Sequence, residues 1–468
     1  MFLCLCIILV VGLHLTLVKS VDATVKNGKL VAAVVIMRHG DRAPQRHAPA
    51  FAEGSRLKYE TVFAIDKGDW PVDYGQLTPL GVQQAYNLGS RFNARYVTGL
   101  DSNKLLSATY DHIQTHARAT DVDRTLTTAM AVLAGIYPAR ASNLTNNGAV
   151  NNSSPVSQQL VPVHTVEYAL DSLLDGSAKA HCPVFNSASK IQKKNNKRLK
   201  YLLYSNTAFL KALPALSGIS LSALDHMGTK KLVSLTTSLR DLRVCQRAHN
   251  VSQPKNVTHF DSFLEEFTAA VVHAKWIESG LGSIVGGRLL RAVARRLELV
   301  RQLELGEEWV VDRLHDECNA KGQDSDESGE CPRRFVLYVG HDTTLFDTRA
   351  ALGLSVTQPA VAPYTAHLVF ELRRSDSGDF SVQILSGDYE RETVPVSGPF
   401  CNHDSSCSLS NFITWVRHTV PKNVDKACGA KRDGSGLFKP PQNRLVLAEN
   451  SADERNDGFL YRYLVPAL

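Results

Sequence analysis

The feature that most constrains the fold of this chain is an apolar run close to its amino terminus. Residues 28–37, GKLVAAVVIM, are almost continuously hydrophobic and rich in Val, and Gly40 follows shortly afterwards. This pattern is typical of a strand that is buried on both faces of a sheet. The run therefore favours an α/β fold, and it places Arg38 and His39 where the strand ends.

Two helices are predicted after this strand. The segment TPLGVQQAYNLGSRFNARY begins with Thr78 as N-cap and Pro79 at the first helical position, where the missing proline N–H is tolerated. A short strand over 105–110 then leads to a second helix with Thr120 as N-cap and Arg124 in its first turn. The apolar residues of the first helix recur at helical spacing: Leu80, Ala85, Leu88 and Phe92.

The composition changes at about residue 141, where a polar loop begins and the chain then reads mainly as helices. Strand character returns over 334–339, which ends at Gly340, His341 and Asp342 before another helix, and two β-like runs follow: AHLVFELRR and SVQILSG. This order predicts a three-layer α/β/α core with a mixed central sheet, carrying an inserted, mainly α-helical cap. The predicted domains are residues 21–140 and 330–468 for the core and 141–329 for the cap.

The residues at the strand ends suit phosphoryl transfer. Ligands bind at the carboxyl ends of strands in such sheets, and a phosphate monoester needs cations on its oxygens, a nucleophile and a proton donor. Arg38, Arg42 and Arg124 can supply bidentate donors, so no metal ion or other cofactor is required. His39 would attack phosphorus while its other ring nitrogen bonds near Gly40. Asp342 would protonate the leaving alcohol and then activate water, which favours an acidic working pH.

The amino-terminal residues 1–20, MFLCLCIILVVGLHLTLVKS, form an apolar run without an acidic residue. They predict a signal peptide cleaved after Ser20, with cleavage after Ala23 or an uncleaved anchor as alternatives. N-glycosylation sequons favour export: Asn143, Asn151, Asn152, Asn250 and Asn256. No later run predicts a membrane span. The net charge of +6 is modest, and no nucleic-acid-binding motif accompanies it, so nucleic acid is not an expected partner.

The segment RHGDRAP resembles the signature of the histidine acid phosphatases, a branch of the histidine phosphatase superfamily. The match extends in order to WPVDYGQLTPLGVQQAYNLG, ATDVDRTLTTAMAVLAGIYP and GHDTTL. The resemblance implies that His39 is the nucleophile and Asp342 the proton donor. It implies four phosphate ligands: Arg38, Arg42, Arg124 and His341.

The leading hypothesis is therefore a metal-independent acid phosphatase that acts on small phosphomonoesters, either secreted or in the lumen of a lysosome-like or endosomal compartment. The alternatives are a phytase, an inositol polyphosphate or lysophosphatidic acid phosphatase, and a silent binding homologue. A phosphoglycerate mutase is disfavoured by the leader and the cap. Some relatives dimerise, so a homodimer is possible, although no feature of the sequence requires one.

Nine cysteines are present, of which Cys4 and Cys6 lie in the leader. Resemblance to the lysosomal and prostatic acid phosphatases implies bridges from Cys182 to Cys428 and from Cys401 to Cys407. Their further bridge would join Cys245 to a cysteine near APYTAHLVF, where this chain has none. We therefore predict a bridge between Cys318 and Cys331 and an unpaired Cys245.

Other residues near the signature blocks receive simpler interpretations. His47, His112 and His116 are expected to support the site or face solvent. Asp41 and Asp123 are expected to orient arginines or cap structure, and Arg118 is expected to be a surface cation.

Overall fold

The computed structural model describes residues 28–45, 70–139, 159–217, 219–251, 258–313, 331–356 and 361–430. Within these ranges seven strands form one sheet in the order β2-β3-β1-β4-β5-β6, with β7 paired to β5. The strands are β1 (Lys29–Arg38), β2 (Thr115–Ala119), β3 (Phe335–Gly340), β4 (His367–Arg374), β5 (Phe380–Gly387), β6 (Val394–Pro395) and β7 (Ser406–Ser408). β1, β2 and β3 are parallel, whereas β4 and the strands beyond it are antiparallel, so the predicted mixed sheet is confirmed.

The described α-helices surround this sheet and fill the segment between β2 and β3. In chain order they are α1 (Pro79–Tyr96), α2 (Asp123–Ile136), α3 (Pro183–Asn195), α4 (Lys197–Ser205), α5 (Thr207–Ser217), α6 (Leu221–Asp225), α7 (Thr229–Ala248), α8 (Asp261–His273), α9 (Gly282–Val285), α10 (Gly287–Glu304), α11 (Glu308–Arg313), α12 (Asp342–Ala351), α13 (Leu409–Thr419) and α14 (Val424–Cys428). Short 3₁₀ turns cover Tyr168–Leu170 and Pro399–Cys401, and a π-helical segment, Ala274–Glu278, continues α8.

The apolar run that opens the sheet is buried on both faces. Ala33, Val35 and Met37 lie in a cluster with α1 and α2, whereas Val34 and Ile36 lie in a second cluster with α10, α12 and α13. Alternating side chains of a strand point to opposite faces, so β1 supplies both layers of the core. The predicted three-layer α/β/α arrangement is confirmed.

We call the described residues 159–313, which lie between α2 and β3, the cap. Helices α4 to α8 share a hydrophobic cluster of their own, which also takes in Ala43 and Trp70 from the segment that follows β1. Helix α10 has one apolar face, and the apolar side chains of that face join the cluster on the sheet. The domain boundaries 141–329 stay a prediction.

Two local predictions before the cap are wrong. Residues 105–110 form no strand, and the strand of this region is instead β2, which pairs with β3. Helix α2 has Val122 at its N-cap, because the Thr120 hydroxyl bonds to Thr125 and approaches His341 instead. The first-helix prediction is confirmed, since Thr78 caps α1 and accepts from the N–H of Gly81 at 3.1 Å. Of the four apolar residues predicted for that helix, Leu80 is exposed, whereas Ala85, Leu88 and Phe92 are buried.

Disulfides Cys182–Cys428 and Cys401–Cys407 are present as predicted. Cys245 is a buried free thiol, also as predicted. Cys331 is disulfide-bonded, and its predicted partner Cys318 lies outside the described residues.

The leader 1–20 and four of the sequons also lie outside the described residues: Asn143, Asn151, Asn152 and Asn256. The remaining sequon residue, Asn250, is exposed. Among the described helices, none has the length and apolarity that crossing a bilayer requires.

Candidate active site

The candidate site lies where the adjacent parallel strands β1 and β3 end. Their last residues, Arg38 and Gly340, are paired in register, and the N–H of His39 donates to the Gly340 carbonyl at 3.0 Å. His39 and His341 are therefore brought together, with ring centroids 5.7 Å apart. Sequence reasoning placed both histidines at the carboxyl ends of strands, and the structure puts them there.

His39 is held in one tautomer. Its Nδ1 lies 2.8 Å from the carbonyl oxygen of Gly40, which can only accept, so Nδ1 carries the proton and Nε2 keeps its lone pair. Burial, and then the charges of Arg38, Arg124 and Arg42, lower the pKa of His39 well below its usual value. The ring therefore stays neutral, and Nε2 stays available as a nucleophile, under acidic conditions.

Gly40 allows the loop after β1 to pass against the start of α1. A Cβ at Gly40 would lie 2.4 Å from the carbonyl oxygen of Gly81. The Gly40 N–H also donates to the Thr128 hydroxyl of α2 at 3.1 Å. The loop that carries His39 is thus packed on two helices, and a side chain at position 40 would push it away.

Three arginines line the same cleft, of about 600 Å³, as His39. Arg38 is buried, donates to the Ala362 carbonyl, and lies 4.4 Å from the ring centroid of Tyr364. Arg124 lies in the first turn of α2 as predicted, and burial and the charge of Arg42 lower its pKa to about 10. Such a concentration of guanidinium groups in a half-buried cleft favours an anionic ligand.

Asp342 begins helix α12 and lies 3.6 Å from Nη2 of Arg38. Burial acts to raise the pKa of Asp342, but the charges of Arg38, Arg42 and His341 outweigh it, and the net pKa is below the usual value. The free site therefore holds Asp342 as a carboxylate.

His341 is the N-cap of α12 and is fixed at both ring nitrogens. Nδ1 lies 3.4 Å from Nη2 of Arg124, which can only donate, and Nε2 lies 3.1 Å from the hydroxyl of Thr120. Burial, and then the charge of Arg124, lower the pKa of His341. His341 is thus neutral: Nδ1 accepts from Arg124 and so supports that guanidinium at the cleft, while Nε2 donates to the Thr120 hydroxyl.

The cap contributes a carboxylate that sequence reasoning missed. Asp241 of α7 accepts from Nη2 of Arg42 through both oxygens, at 3.0 and 3.2 Å. A paired guanidinium keeps a defined orientation, so Asp241 positions Arg42 in the cleft. No local pattern marks Asp241, which lies 199 residues from its partner.

Two further residues follow Asp241 at intervals of four positions and contact residues close to the cleft: Cys245 on α7 and His249 just after it. Sγ of Cys245 lies 3.8 Å from Nη1 of Arg42 and 3.3 Å from the Tyr364 hydroxyl. Tyr364 belongs to the block APYTAHLVF, where the relatives were expected to have the cysteine that bonds to the equivalent of Cys245. In this chain Cys245 instead contacts the hydroxyl of Tyr364. His249, just after the helix, approaches Asp41 with Nε2 2.6 Å from Oδ2.

Asp41 and Arg118, two charged residues near the signature blocks, are both buried. The Asp41 side chain accepts from the hydroxyl of Thr78, the N-cap of α1, and lies beside His249, so of its two expected roles the structure supports the one at a helix cap. Arg118 is 2% exposed and donates to Asp171 at 2.8 Å, so the prediction of a surface cation is wrong. A strand residue can be cationic and buried when a carboxylate meets it in the core.

Two histidines near the signature blocks, His112 and His116, are described by the structure, and neither lines the cleft. His116 is buried and stacks on His164 at 4.8 Å, and His112 is exposed beside Asp111. His47 lies outside the described residues. Across the described ranges, no group of three or more His, Cys, Asp or Glu side chains is arranged to hold a metal ion.

The family model for the histidine phosphatase superfamily (branch 2) matches residues 29–386. The chain belongs to this family. Among curated relatives of this branch 2 protein is a lysosomal acid phosphatase of Xenopus laevis, 28% identical over 89% of this chain and 83% of the relative. A prostatic acid phosphatase of Rattus norvegicus is 26% identical over 86% of this chain and 89% of the relative. These matches confirm the resemblance found in the sequence.

A solved structure of Hafnia alvei phytase in complex with tartrate has the same fold. Its TM-score is 0.56 at 17% identity, covering 86% of this chain and 98% of the phytase. At that identity the likeness concerns the fold alone.

Two sets of residues from different parts of the chain line the cleft of this histidine phosphatase. We call the first set the core wall: Arg38, His39, Arg42, Arg124, His341 and Asp342. We call the second set, contributed by the cap, the cap wall: Tyr168, Asp175, Asn186, Ser189, Thr237, Ser238, Asp241 and Lys275. The core wall contains every predicted site residue, and the cap wall contains none.

Proposed function

We propose that this chain is an acid phosphatase that hydrolyses phosphate monoesters through a phosphohistidine intermediate. The observation that carries the proposal is the neutral tautomer of His39, whose free Nε2 lies among three arginines in one cleft with Asp342. The names of the curated relatives, lysosomal and prostatic acid phosphatase, support the same activity.

In the proposed mechanism the substrate phosphoryl group binds to the guanidinium groups of Arg38, Arg42 and Arg124. His341 is a further phosphate ligand, because the negative charge of the bound dianion favours a proton on Nδ1, which can then donate. Nε2 of His39 attacks phosphorus in line with the leaving oxygen. A P–N bond forms and the P–O bond to the alcohol breaks. Asp342, in its carboxylic acid form, gives its proton to the leaving oxygen, so the alcohol departs neutral.

The second half of the reaction releases phosphate. Asp342, now a carboxylate, takes a proton from a water molecule whose oxygen attacks phosphorus. The P–N bond breaks, its electron pair returns to Nε2, and neutral His39 is regenerated. No group other than water enters, so atoms and charges balance over the cycle.

Asp342 must carry a proton in the first step although the free site favours its carboxylate. A bound phosphate dianion supplies negative charge that offsets Arg38 and Arg42, the groups that hold the pKa of Asp342 down. Burial then dominates and raises the pKa of Asp342 in the complex. Acidic pH and bound substrate thus both favour the protonated form of Asp342.

Rapid quenching with a ³²P-labelled monoester at pH 5, without added metal, tests the mechanism. We expect a phosphoenzyme that is labile in acid and stable in base, and no labelling of His39→Ala. His112→Ala, at an exposed histidine, is the matched control and should label like the unmodified protein. Full phosphatase activity in His39→Ala would refute the mechanism.

We also propose export through the secretory pathway, to the outside or to a lysosome-like lumen. The disulfides Cys182–Cys428 and Cys401–Cys407 support it, because structural bridges persist in oxidising compartments. Sedimentation analysis of the secreted protein tests the homodimer that remains a prediction.

A catalytically silent homologue is the competing proposal from another class. It predicts no hydrolysis of p-nitrophenyl phosphate at pH 5. Phytase and lysophosphatidic acid phosphatase activities are the alternatives within the enzyme class, and a panel of phytate, lysophosphatidic acid and nucleotide substrates separates them.

A further inference from the structure

The cap wall contains one cation, Lys275, that the proposed mechanism does not use. Lys275 lies in the π-helical segment Ala274–Glu278 after α8 and lines the same cleft as His39 and Asp342. Such π-turns, which insert an extra residue into a helix, occur frequently at functional sites. The turn places Lys275 in the cleft lining while the next residue, Trp276, is buried in the core.

The surroundings of Lys275 form a built site. Its ammonium lies 4.2 Å from the ring centroid of Trp276, an attractive position for a cation. Trp276 is itself fixed, because its Nε1 donates to Asp347 at 2.7 Å and its ring packs 5.1 Å from Phe346 and 5.4 Å from Phe185. A rigid aromatic platform therefore holds the amine in place.

Lys275 has no hydrogen-bond or ion-pair partner among the residues that the structure describes. The cleft lining includes four uncharged polar residues, Asn186, Ser189, Thr237 and Ser238, and three carboxylates, Asp175, Asp241 and Asp342, none of which forms an ion pair with Lys275. Lys275 is half-buried at the cleft lining, so its ammonium is available to an anionic group that binds in the cleft.

Charged groups from each neighbouring element act on Lys275. Burial, and then the charge of Lys193 on α3, lower the pKa of Lys275, whereas Asp347 and Asp342 on α12 raise it, and the net value is about 7. Lys275 is therefore protonated at the acidic pH that the mechanism favours.

We propose that Lys275 binds a second anionic group on the leaving alcohol, and that the preferred substrates are phosphomonoesters whose alcohol carries a carboxylate or another phosphate. This inference rests on the proposed function. The geometric reason is that the leaving oxygen must lie beside Asp342, so substituents of the alcohol extend along the cleft toward the cap wall. The neutral amide and hydroxyl groups there suit the polar remainder of such an alcohol.

Three substrates that share a three-carbon skeleton test the proposal at pH 5. Glycerol 1-phosphate has a neutral alcohol, 3-phosphoglycerate adds a carboxylate, and glycerol 1,3-bisphosphate adds a phosphate. We expect kcat/KM to favour at least one anionic substrate over glycerol 1-phosphate. Lys275→Met should reduce that ratio about tenfold, the range of a charge-assisted hydrogen bond. If the kcat/KM ratio of 3-phosphoglycerate to glycerol 1-phosphate falls, Lys275 binds a carboxylate. If the ratio of glycerol 1,3-bisphosphate to glycerol 1-phosphate falls, it binds a phosphate.

Lys193→Met is the matched control, because Lys193 is a neighbouring half-buried lysine whose amine bonds to Ser234 at 3.3 Å outside the cleft lining. Lys193→Met should have the same preference for the anionic substrates over glycerol 1-phosphate, measured as a ratio of kcat/KM values, as the unmodified protein. Lys275→Gln, which retains a polar side chain, replaces Lys275→Met if the latter does not fold.

Two results overturn the inference: equal kcat/KM for all three substrates in the unmodified protein, or an unchanged ratio after substitution of Lys275. Either result leaves the proposed function intact as long as glycerol 1-phosphate is hydrolysed and His39→Ala is inactive. Hydrolysis by His39→Ala would instead remove the proposed function itself.

Discussion

The core wall and the cap wall of the cleft are built on different principles. Residues of the core wall are fixed by hydrogen bonds. His39 lies 2.8 Å from the Gly40 carbonyl oxygen, and Arg42 donates at 3.0 Å to Asp241 of the cap wall. The cap wall presents mostly neutral polar side chains and one lysine without an anionic partner among the described residues. The difference is consistent with our proposals that the core wall carries out the reaction and that the cap wall discriminates between alcohols.

The largest expected effect concerns the proposed proton donor of the core wall. Asp342→Asn removes the proton donor, so we expect kcat to fall about 10²- to 10⁴-fold with an alkyl phosphate. The fall should be much smaller with p-nitrophenyl phosphate, because p-nitrophenolate leaves without a proton. Steady-state kinetics with both substrates measures the difference. An equal loss on the two substrates would contradict a role in protonating the alcohol.

The rigidity of the core wall predicts a stability effect of Gly40→Ala. The added Cβ would meet the Gly81 carbonyl oxygen at 2.4 Å, so we expect a loss of about 1–3 kcal/mol in the free energy of unfolding. Gly228→Ala, in the cap, adds a methyl group where no atom lies within 4 Å and serves as the control. Urea denaturation measures both variants. Equal stability of the two would mean that the loop is not tightly packed.

A smaller effect is expected where the cap supports the core wall. Asp241→Asn loses the charge that orients Arg42, and we expect kcat/KM for p-nitrophenyl phosphate to fall about tenfold, mainly through KM. The control is Asp261→Asn, which breaks a comparable pair with Arg243 in the cap, away from the cleft lining. If both variants lose activity equally, the effect is general loosening of the cap and not the positioning of Arg42.

The smallest effect concerns the protonation of His39. Because Arg124 is one of the charges that lower the pKa of His39, Arg124→Met should raise that pKa, although burial, the larger cause, still holds it down. As acid is added, the neutral form of His39 is therefore lost at a higher pH in the variant than in the unmodified protein. Titration of the imidazole by ¹⁵N NMR follows the change, and a pKa that stays constant or falls would contradict it.

The sequence predicts the core wall well because its residues follow recognisable strand ends and helix starts. The apolar run ending at Arg38 and the run ending at Gly340 pair in register, so locating the strands also locates His39 and His341. Arg124 is located in the same way, because it lies in the first turn of a predicted helix. The N-cap residue of that helix is Val122 and not Thr120.

The cap wall could not be predicted in this way, since its contacts are distant in sequence. Asp241 reads as an ordinary polar position on a helix, and only the tertiary fold brings it to Arg42. Arg118 shows the same limit in the core, because its partner Asp171 lies beyond a polar loop, and without that partner a cation is expected at the surface. The spacing of apolar residues predicts which face of a helix or strand is buried, but it does not predict which distant residue will contact that face.

The free thiol of Cys245 gives the protein an internal reporter of site opening. The thiol is buried against Arg42 and Tyr364, and burial, with the charge of Asp241, raises its pKa to about 12. A thiol-specific reagent can therefore reach a reactive thiolate only when α7 separates transiently from the loop after β1. The labelling rate thus measures how often the walls of the cleft come apart, and an oxyanion that ties Arg42 into the cleft should slow it.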